Sequence, residues 1–344
     1  MRSTITLGSA VSALTATILV SMAAGTASAQ PDTPVTYTGT SADGSRIVSS
    51  MTADTRLVTL QVYSAAMDKS IQVDVHRPPG TSQPAPVLYL LGGAGAADAV
   101  TWQTQTDVLD FLAEKNVDVV QPIGGDFTYY TDWRAPDPAL GVNKWKTFLT
   151  EELPPLVDEA LNADGRNAIA GLSMAGTSAL QLAIAAPGLY RSVAVYSGCA
   201  QISDPIGYHF ANDVVTKGGG NSANMYGPEG DREWAVNDPY VHADQLRGLN
   251  LFISSGSGLP GRWDAPGGPH TLPGTDGWLQ QLTIGGGIEA ATDFCSHNLK
   301  AKLDGLGIAA TYDFTPTGTH SWGYWEDAMK RSWPVLATGL GLPA

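Results

Sequence analysis

The feature that most constrains this chain is a serine between a short apolar run and a helical pattern, in the sequence GLSMAG at residues 171–176. The run at 167–170 predicts a buried strand, and the pattern at 177–186 predicts a helix. A serine on such a sharp turn has its Oγ lifted clear of the sheet. The match to G-x-S-x-G lacks only the last glycine, where Ala175 stands. We therefore interpret Ser173 as a nucleophile rather than as a helix N-cap.

The beginning of the chain has the order of an export signal. Arg2 is followed by an apolar stretch at 7–24 and by Ala-Ser-Ala at 27–29, which is typical of a cleavage site. The stretch is interrupted by serines and threonines and is shorter than a membrane span, so we expect residues 1–29 to be removed. The location predicted is therefore extracellular, secreted or in peripheral association with the cell envelope.

Beyond the signal, the polar residues 30–55 predict a flexible leader, and residues 56–344 predict a single domain. The net charge of −14 argues against nucleic acid or an anionic surface as a partner. Cys199 and Cys295 are the two cysteines, and an even count in an oxidising compartment favours a disulfide. No Cys/His cluster has metal-ligand spacing, and we expect neither a metal nor a cofactor.

Two kinds of strand are predicted in the first half of the domain. Alternation of apolar and polar residues at 57–63 and 71–75 predicts half-buried antiparallel strands. Continuous apolar runs at 87–91 and 117–121 predict strands covered on both faces. Together with the later elements, these patterns predict an α/β fold whose central sheet is mostly parallel, with helices on both faces.

The later elements alternate in the same way. Helices are predicted at 108–114, 146–161, 288–306 and 324–340, strands at 192–196, 251–254 and 310–314, and an irregular excursion over the site at 201–238. Pro154 and Pro155 must bend or restart the second of these helices.

A serine nucleophile needs a base, and His320 is the candidate because it directly follows the last predicted strand. The carboxyl ends of parallel strands meet at one edge of the sheet, where the serine also lies. The third group should be a carboxylate between serine and histidine in chain order. Four carboxylates satisfy that order, and the pattern leaves the choice open: Glu289, Asp293, Asp264 and Asp276.

An oxyanion hole requires two backbone N–H donors near the serine. The N–H of Met174 directly follows the nucleophile. The glycine-rich turn at 92–95 follows a buried strand, and we assign its Ala94 N–H as the second donor. A phosphate-binding loop is the competing interpretation, but the turn lacks the lysine and the glycine spacing of a P-loop.

Several further segments complete a resemblance to a known family. They are VLYLLGG at 87–93, QPIGG at 121–125, YTDW at 130–133, KWKTFLTEELP at 144–154, MYGP at 225–228, NDP at 237–239 and GTHSWGYW at 318–325. With the serine motif, they resemble the secreted mycolyltransferases of the antigen 85 type, in the esterase D branch of the α/β-hydrolases. The resemblance covers most of the domain, and its last segment is the most specific.

The resemblance implies an α/β-hydrolase fold and a triad of Ser173, Glu289 and His320, with Asp293 as the fallback acid. It also implies an oxyanion hole formed by Ala94 and Met174. The activity implied is transfer of a mycoloyl group from trehalose monomycolate, a glycolipid, to a sugar acceptor. That acceptor is a second trehalose monomycolate or the arabinan of the cell wall.

The chain departs from the family at the first oxyanion turn. Gly92 and Gly95 replace an aspartate and an arginine that help to bind the sugar. We assign the substrate contacts to these two glycines, Asp132, Trp133 and Trp322, and expect Trp325 to be core. Two other functions remain open, a secreted carboxylesterase and a non-catalytic wall or adhesion protein.

Overall fold

One mixed sheet organises the part of the chain that the computed structural model describes, residues 36–53, 56–80, 83–95 and 100–344. Its strands are β1 (Arg46–Thr52), β2 (Leu57–Ser64), β3 (Lys69–His76), β4 (Val87–Leu91), β5 (Asp118–Ile123), β6 (Asn167–Leu172), β7 (Tyr190–Tyr196), β8 (Asn250–Ser255) and β9 (Thr311–Phe314). Their spatial order is β1-β2-β3-β5-β4-β6-β7-β8-β9. The first three pairs in this order, β1-β2, β2-β3 and β3-β5, are antiparallel. The other five pairs, from β5-β4 to β8-β9, are parallel.

The helices lie between these strands in the chain, except α11, which follows β9. They are α1 (Trp102–Gln105), α2 (Val108–Ala113), α3 (Trp145–Thr147), α4 (Leu153–Leu161), α5 (Met174–Ala185), α6 (Pro205–Lys217), α7 (Ser222–Tyr226), α8 (Arg232–Val236), α9 (Gly274–Gln280), α10 (Gly286–Leu306) and α11 (Trp322–Leu340). Residues Phe148–Glu152 and Gln281–Gly285 are π-helical and join α3 to α4 and α9 to α10, and Ala243–Leu246 forms a 3₁₀ turn. No described helix is both long and apolar enough to cross a membrane.

The sheet separates two hydrophobic cores, as the sequence predicts. All five residues of β4 are buried, and Tyr89 packs into one core while its neighbour Leu90 packs into the other. In β2, by contrast, full and partial burial alternate. The predicted α/β fold with a mostly parallel sheet is confirmed, and the predicted signal at 1–29 lies outside the described residues.

Residues 46–52 differ from the predicted flexible leader, because they form β1 and pair with β2. The sheet therefore begins before the predicted domain start at residue 56. As an edge strand, β1 buries only Ile47 of its seven residues. It consequently shows no apolar alternation that would mark it in the sequence.

Two other segments differ from the prediction: the helix at 146–161 is divided, and the excursion at 201–238 contains helices. The helix expected at 146–161 is interrupted by the π-helical turn and restarts at Leu153, with its prolines in the first turn, where a missing N–H costs little. The excursion at 201–238 contains α6, α7 and α8. Their N-caps Asp204, Asn221 and Asp231 accept hydrogen bonds from the first-turn N–H groups.

The two cysteines form a disulfide between the end of β7 and α10. Cys199 lies three residues beyond the strand, and Cys295 is fully buried on the helix. The bond encloses a sequence separation of 96 residues. It ties α10 to the carboxyl edge of the sheet.

We predict that the double variant Cys199→Ser, Cys295→Ser loses about 3 to 5 kcal/mol of unfolding free energy, because the bond closes a long loop in the unfolded chain. Urea unfolding of the two proteins measures the loss, and reduced wild type serves as the control because it should match the variant. Equal midpoints for oxidised wild type and variant would contradict the prediction.

Candidate active site

Ser173 occupies the turn between β6 and α5 with φ of 53° and ψ of −124°. Positive φ is rare for residues other than glycine and persists only where surrounding contacts impose it. Gly171 and Gly176 make the turn possible. An added Cβ would lie 2.3 Å from the Ala175 carbonyl oxygen at the first, and 2.9 Å from Val195 Cγ1 at the second. The turn needs its glycines at these two positions, and the buried Ala175 fits between them.

The His320 ring bridges Ser173 and Glu289. Its Nε2 lies 2.8 Å from Ser173 Oγ, and its Nδ1 lies 2.7 Å from Glu289 Oε2. With the ring proton on Nδ1, the imidazole donates to the carboxylate and its Nε2 accepts from the serine hydroxyl. The backbone N–H of His320 also donates to the Gly285 carbonyl at 3.2 Å, which fixes the loop that carries the ring.

Glu289 is buried, with 1% of its surface exposed, yet its carboxylate is fully partnered. Its Oε1 accepts from Ser197 Oγ at 2.7 Å and from the Gly256 backbone N–H at 2.6 Å. Ser197 has φ of 52°, and its Oγ also accepts from Trp325 Nε1 at 3.0 Å. Burial of a charge is tolerated when hydrogen bonds replace water, as they do here.

Ser197 is a residue that the sequence reasoning missed. The signal available was its position at the carboxyl end of β7, the strand next to the one that carries the nucleophile. No residue-type pattern separates it from an ordinary serine in a loop.

The other candidate acids do not reach the histidine. Asp293 accepts from Ser255 Oγ, and Asp276 is exposed. Asp264 is buried but accepts from Thr319 Oγ1 and Tyr324 Oη on either side of the histidine loop. Among the described residues, no group of three or more His, Cys, Asp or Glu side chains is placed to hold a metal ion.

The glycine-rich turn after β4 lies against the nucleophile. An added Cβ at Gly93 would be 2.5 Å from Leu172 Cδ1 and 3.5 Å from Ser173 Cβ. Ala94, Gly95 and Met174 line the same cavity as the serine. The turn and the start of α5 therefore present backbone beside Ser173, and the use of their N–H groups as oxyanion donors stays a prediction.

Ser173 and His320 open onto a cavity of about 560 Å³. Its apolar lining comes from Val100, Tyr129, Leu172, Phe210, Val214, Ile284, Ile288, Ala291, Trp322 and Trp325. Lys217 and Asp213 add charge from α6, so the excursion between β7 and β8 does shape the cleft. Ile284 and Ile288 remain 55% and 40% exposed at this wall.

The two tryptophans after the histidine have different surroundings. Trp322 lines the cavity and is partly buried. Trp325 also reaches the cavity wall but is 6% exposed and belongs to a hydrophobic core, with its ring 4.8 Å from the His320 ring, edge to face. Trp325 therefore packs against the His320 ring from the hydrophobic core.

Three of the predicted substrate contacts lie elsewhere. Asp132 accepts from Thr147, and Trp133 is buried, with its Nε1 donating to the Thr128 carbonyl. These hydrogen bonds organise the loop before α3 and leave neither side chain on the cavity wall. Gly92 is also not a lining residue, whereas Gly95 is.

The family model of the esterases, described as "Putative esterase", matches residues 64–335. Among similar proteins, the diacylglycerol acyltransferase/mycolyltransferase Ag85A of Mycobacterium leprae is 33% identical over 293 residues, 82% of this chain and 83% of the relative. The corresponding Ag85B of Mycobacterium avium is 31% identical over 294 residues, which again cover 82% of this chain and 83% of the relative.

Solved structures share the fold. The crystal structure of Mycobacterium tuberculosis MPT51 (FbpC1) has a TM-score of 0.68 at 23% identity and covers 83% of this chain and 100% of that one. An S-formylglutathione hydrolase from Agrobacterium tumefaciens has a TM-score of 0.61 at 18% identity, with 86% and 99% covered. The chain therefore belongs to the esterase family, among the antigen 85 mycolyltransferase relatives, and is an α/β-hydrolase of the acyltransferase and esterase type.

Proposed function

We propose that this protein is an exported serine acyltransferase that moves a mycoloyl group from trehalose monomycolate to a second trehalose monomycolate or to cell-wall arabinan. The observation that carries the proposal is the hydrogen-bonded series Ser173, His320 and Glu289 at the mouth of an apolar cavity. The antigen 85 relatives, named as acyltransferases and mycolyltransferases, support the choice of reaction.

The first half of the reaction forms an acyl-enzyme. Ser173 Oγ attacks the ester carbonyl carbon while His320 Nε2 takes the hydroxyl proton. The N–H groups of Ala94 and Met174 stabilise the oxyanion of the tetrahedral intermediate. The bond to the trehalose oxygen then breaks, that oxygen takes the proton from His320, and the acyl group stays on Ser173.

The second half repeats the chemistry with an acceptor hydroxyl. His320 Nε2 removes the proton of the acceptor hydroxyl as the hydroxyl oxygen attacks the acyl carbon. The bond between that carbon and Ser173 Oγ then breaks, and His320 returns the proton to Ser173 Oγ. Glu289 stabilises the imidazolium that forms in both halves and holds the ring in one tautomer. Ser197 and Gly256 keep the carboxylate in place.

The cavity suits the acyl part of such a donor. Its lining is mainly apolar, and burial of a hydrocarbon chain contributes about 0.8 kcal/mol for each CH₂ group removed from water. The exposed Ile284 and Ile288 extend the apolar wall toward solvent. A donor with a long chain is therefore favoured over a short, polar ester.

A carboxylesterase that passes the acyl group to water is the second candidate. The observation that favours it is the absence of a sugar-binding side chain at Gly92 and Gly95. Transfer requires that an acceptor hydroxyl is oriented and that water is excluded. Trp322 lines the cavity with His320, and we propose that its ring stacks on the acceptor sugar.

The identity of the acid is testable with two carboxylates on one helix. We predict that Glu289→Gln lowers turnover of an ester substrate by at least about 10²-fold, because the amide no longer fixes the imidazole tautomer. Asp293→Asn, one turn further on, is the matched control and should change turnover little. The reverse order would assign the role to Asp293.

Transfer and hydrolysis are separated by product analysis. We predict that trehalose added to the enzyme and an acyl donor diverts most product from free acid to acylated trehalose, and that Trp322→Ala shifts the ratio back toward free acid. Trp322→Phe keeps an aromatic face and should retain transfer, and Ser173→Ala should form neither product. A free-acid yield unaffected by trehalose at any concentration would overturn the trehalose assignment.

A further inference from the structure

Asp264 is a buried carboxylate that the proposed reaction does not use. It lies between β8 and α9 and is 4% exposed. Its two oxygens accept four hydrogen bonds, from Thr319 Oγ1 at 2.5 Å, Gln281 Nε2 at 2.8 Å, the Gly261 N–H at 2.8 Å and Tyr324 Oη at 2.6 Å. A buried carboxylate needs such partners in place of water. Neither Asp264 nor any of these donors lines the catalytic cavity, so the carboxylate acts on protein groups rather than on a bound ester.

Two of the four donors lie on either side of His320 in the chain. Thr319 directly precedes the histidine and is fully buried, and Tyr324 follows it in the first turn of α11. Within the loop, the Ser321 N–H donates to the Thr319 carbonyl at 2.8 Å. The short loop that carries the imidazole is therefore attached at both of its ends to one carboxylate.

A third donor joins the carboxylate to the helix that carries the acid. Gln281 is buried and begins the π-helical segment that continues into α10, where Glu289 lies. The last residue of this segment, Gly285, accepts the hydrogen bond from the His320 N–H. Asp264 thus holds the loop of the base and the segment before the acid against each other.

An asparagine has the shape of Asp264 but cannot accept all four hydrogen bonds. Each carboxylate oxygen faces one hydroxyl and one N–H donor: Oδ1 faces Thr319 and Gln281, and Oδ2 faces Tyr324 and Gly261. The hydroxyls can turn and accept, whereas the N–H groups cannot. Turning the Gln281 amide would only transfer the conflict to the backbone N–H that its oxygen now accepts. The asparagine nitrogen would therefore oppose an N–H group in either orientation, and the loop would have to move.

We propose that Asp264 is a positioning residue that holds His320 at hydrogen-bonding distance from Ser173 and Glu289. The inference rests on the proposed function, because it concerns the same three catalytic groups. A shift of the loop would lengthen the bonds of 2.8 Å and 2.7 Å that the imidazole now makes. Proton transfer in the transition state depends on those distances, whereas binding of the acyl chain in the cavity does not. Loss of the carboxylate should consequently lower kcat and leave KM nearly unchanged.

The test compares Asp264→Asn with Asp137→Asn. Asp137 is also 4% exposed, does not line the catalytic cavity, and likewise accepts four hydrogen bonds, from the N–H groups of Ala139, Leu140 and Asn221 and from Asn224 Nδ2. The first readouts are kcat and KM for p-nitrophenyl butyrate. The second is the far-downfield proton NMR signal of His320 Nδ1–H, assigned by its absence from His320→Ala. Thermal unfolding of both variants is measured in parallel.

We expect Asp264→Asn to lower kcat by about 10-fold or more, since a misplacement of about 1 Å can cost about 10²-fold. KM should stay within about 2-fold, and the Nδ1 proton signal should move upfield or disappear as the bond to Glu289 lengthens. Asp137→Asn should stay within about 2-fold of wild type in both constants and keep the signal. This difference between two equally buried aspartates would support positioning rather than general stability.

A second variant keeps the inference testable if Asp264→Asn does not fold. Thr319→Val preserves the shape of the side chain and removes one of the four hydrogen bonds, directly beside His320. It should lower kcat by about 3-fold or more, the effect of about one net hydrogen bond, with KM within about 2-fold.

An unchanged kcat, a change confined to KM, or a loss of kcat with an unchanged Nδ1 proton signal would overturn the inference. Ser173→Ala distinguishes this failure from failure of the proposed function. If Ser173→Ala is inactive while Asp264→Asn and Thr319→Val are not impaired, only the role of Asp264 is wrong. If Ser173→Ala remains active, the proposed function is wrong.

Discussion

The positive φ of Ser173 is the constraint on which the rest of the site depends. It turns the chain sharply between a buried strand and a helix, so that Oγ leaves the sheet on the side where His320 lies. The turn closes only because Gly171 and Gly176 leave room for neighbouring backbone and side chains. A side chain at either glycine would displace Ser173 even though it leaves Ser173, His320 and Glu289 chemically unchanged. The site therefore depends on the backbone conformation of this turn as well as on its catalytic side chains.

The parallel order of the strands then brings the remaining groups together at one edge of the sheet. Ser173, Ser197, Gly256 and His320 lie beyond the carboxyl ends of β6, β7, β8 and β9, which are neighbours in the sheet. The acid comes from outside this series, on α10, and reaches the others through hydrogen bonds to three of them. The disulfide between the β7 end and α10 reinforces the same approach. The acid is thus held by the sheet edge as well as by its own helix.

Much of this arrangement could be predicted from the sequence, because it depends on strongly periodic segments and on the order of the strands, helices and catalytic residues along the chain. The serine turn, the position of His320 after the last strand and the parallel sheet are local or topological features. Ser197 could not be identified, because its hydrogen bond to Glu289 depends on a contact between segments far apart in the chain. The edge strand β1 could not be identified because an exposed strand lacks apolar alternation. Asp132 lies off the wall of the cavity that contains Ser173, and the sequence could not show this because its hydrogen bonds to Thr147 depend on how the loop before α3 folds.

The most direct test of the central claim is the mass of a trapped covalent intermediate. Enzyme mixed with trehalose monomycolate, quenched in acid and digested, should yield the peptide that contains Ser173 with the added mass of one mycoloyl group. The same peptide from Ser173→Ala should carry no added mass. Continued turnover with that peptide unmodified, or with the acyl group on a different residue, would contradict the account.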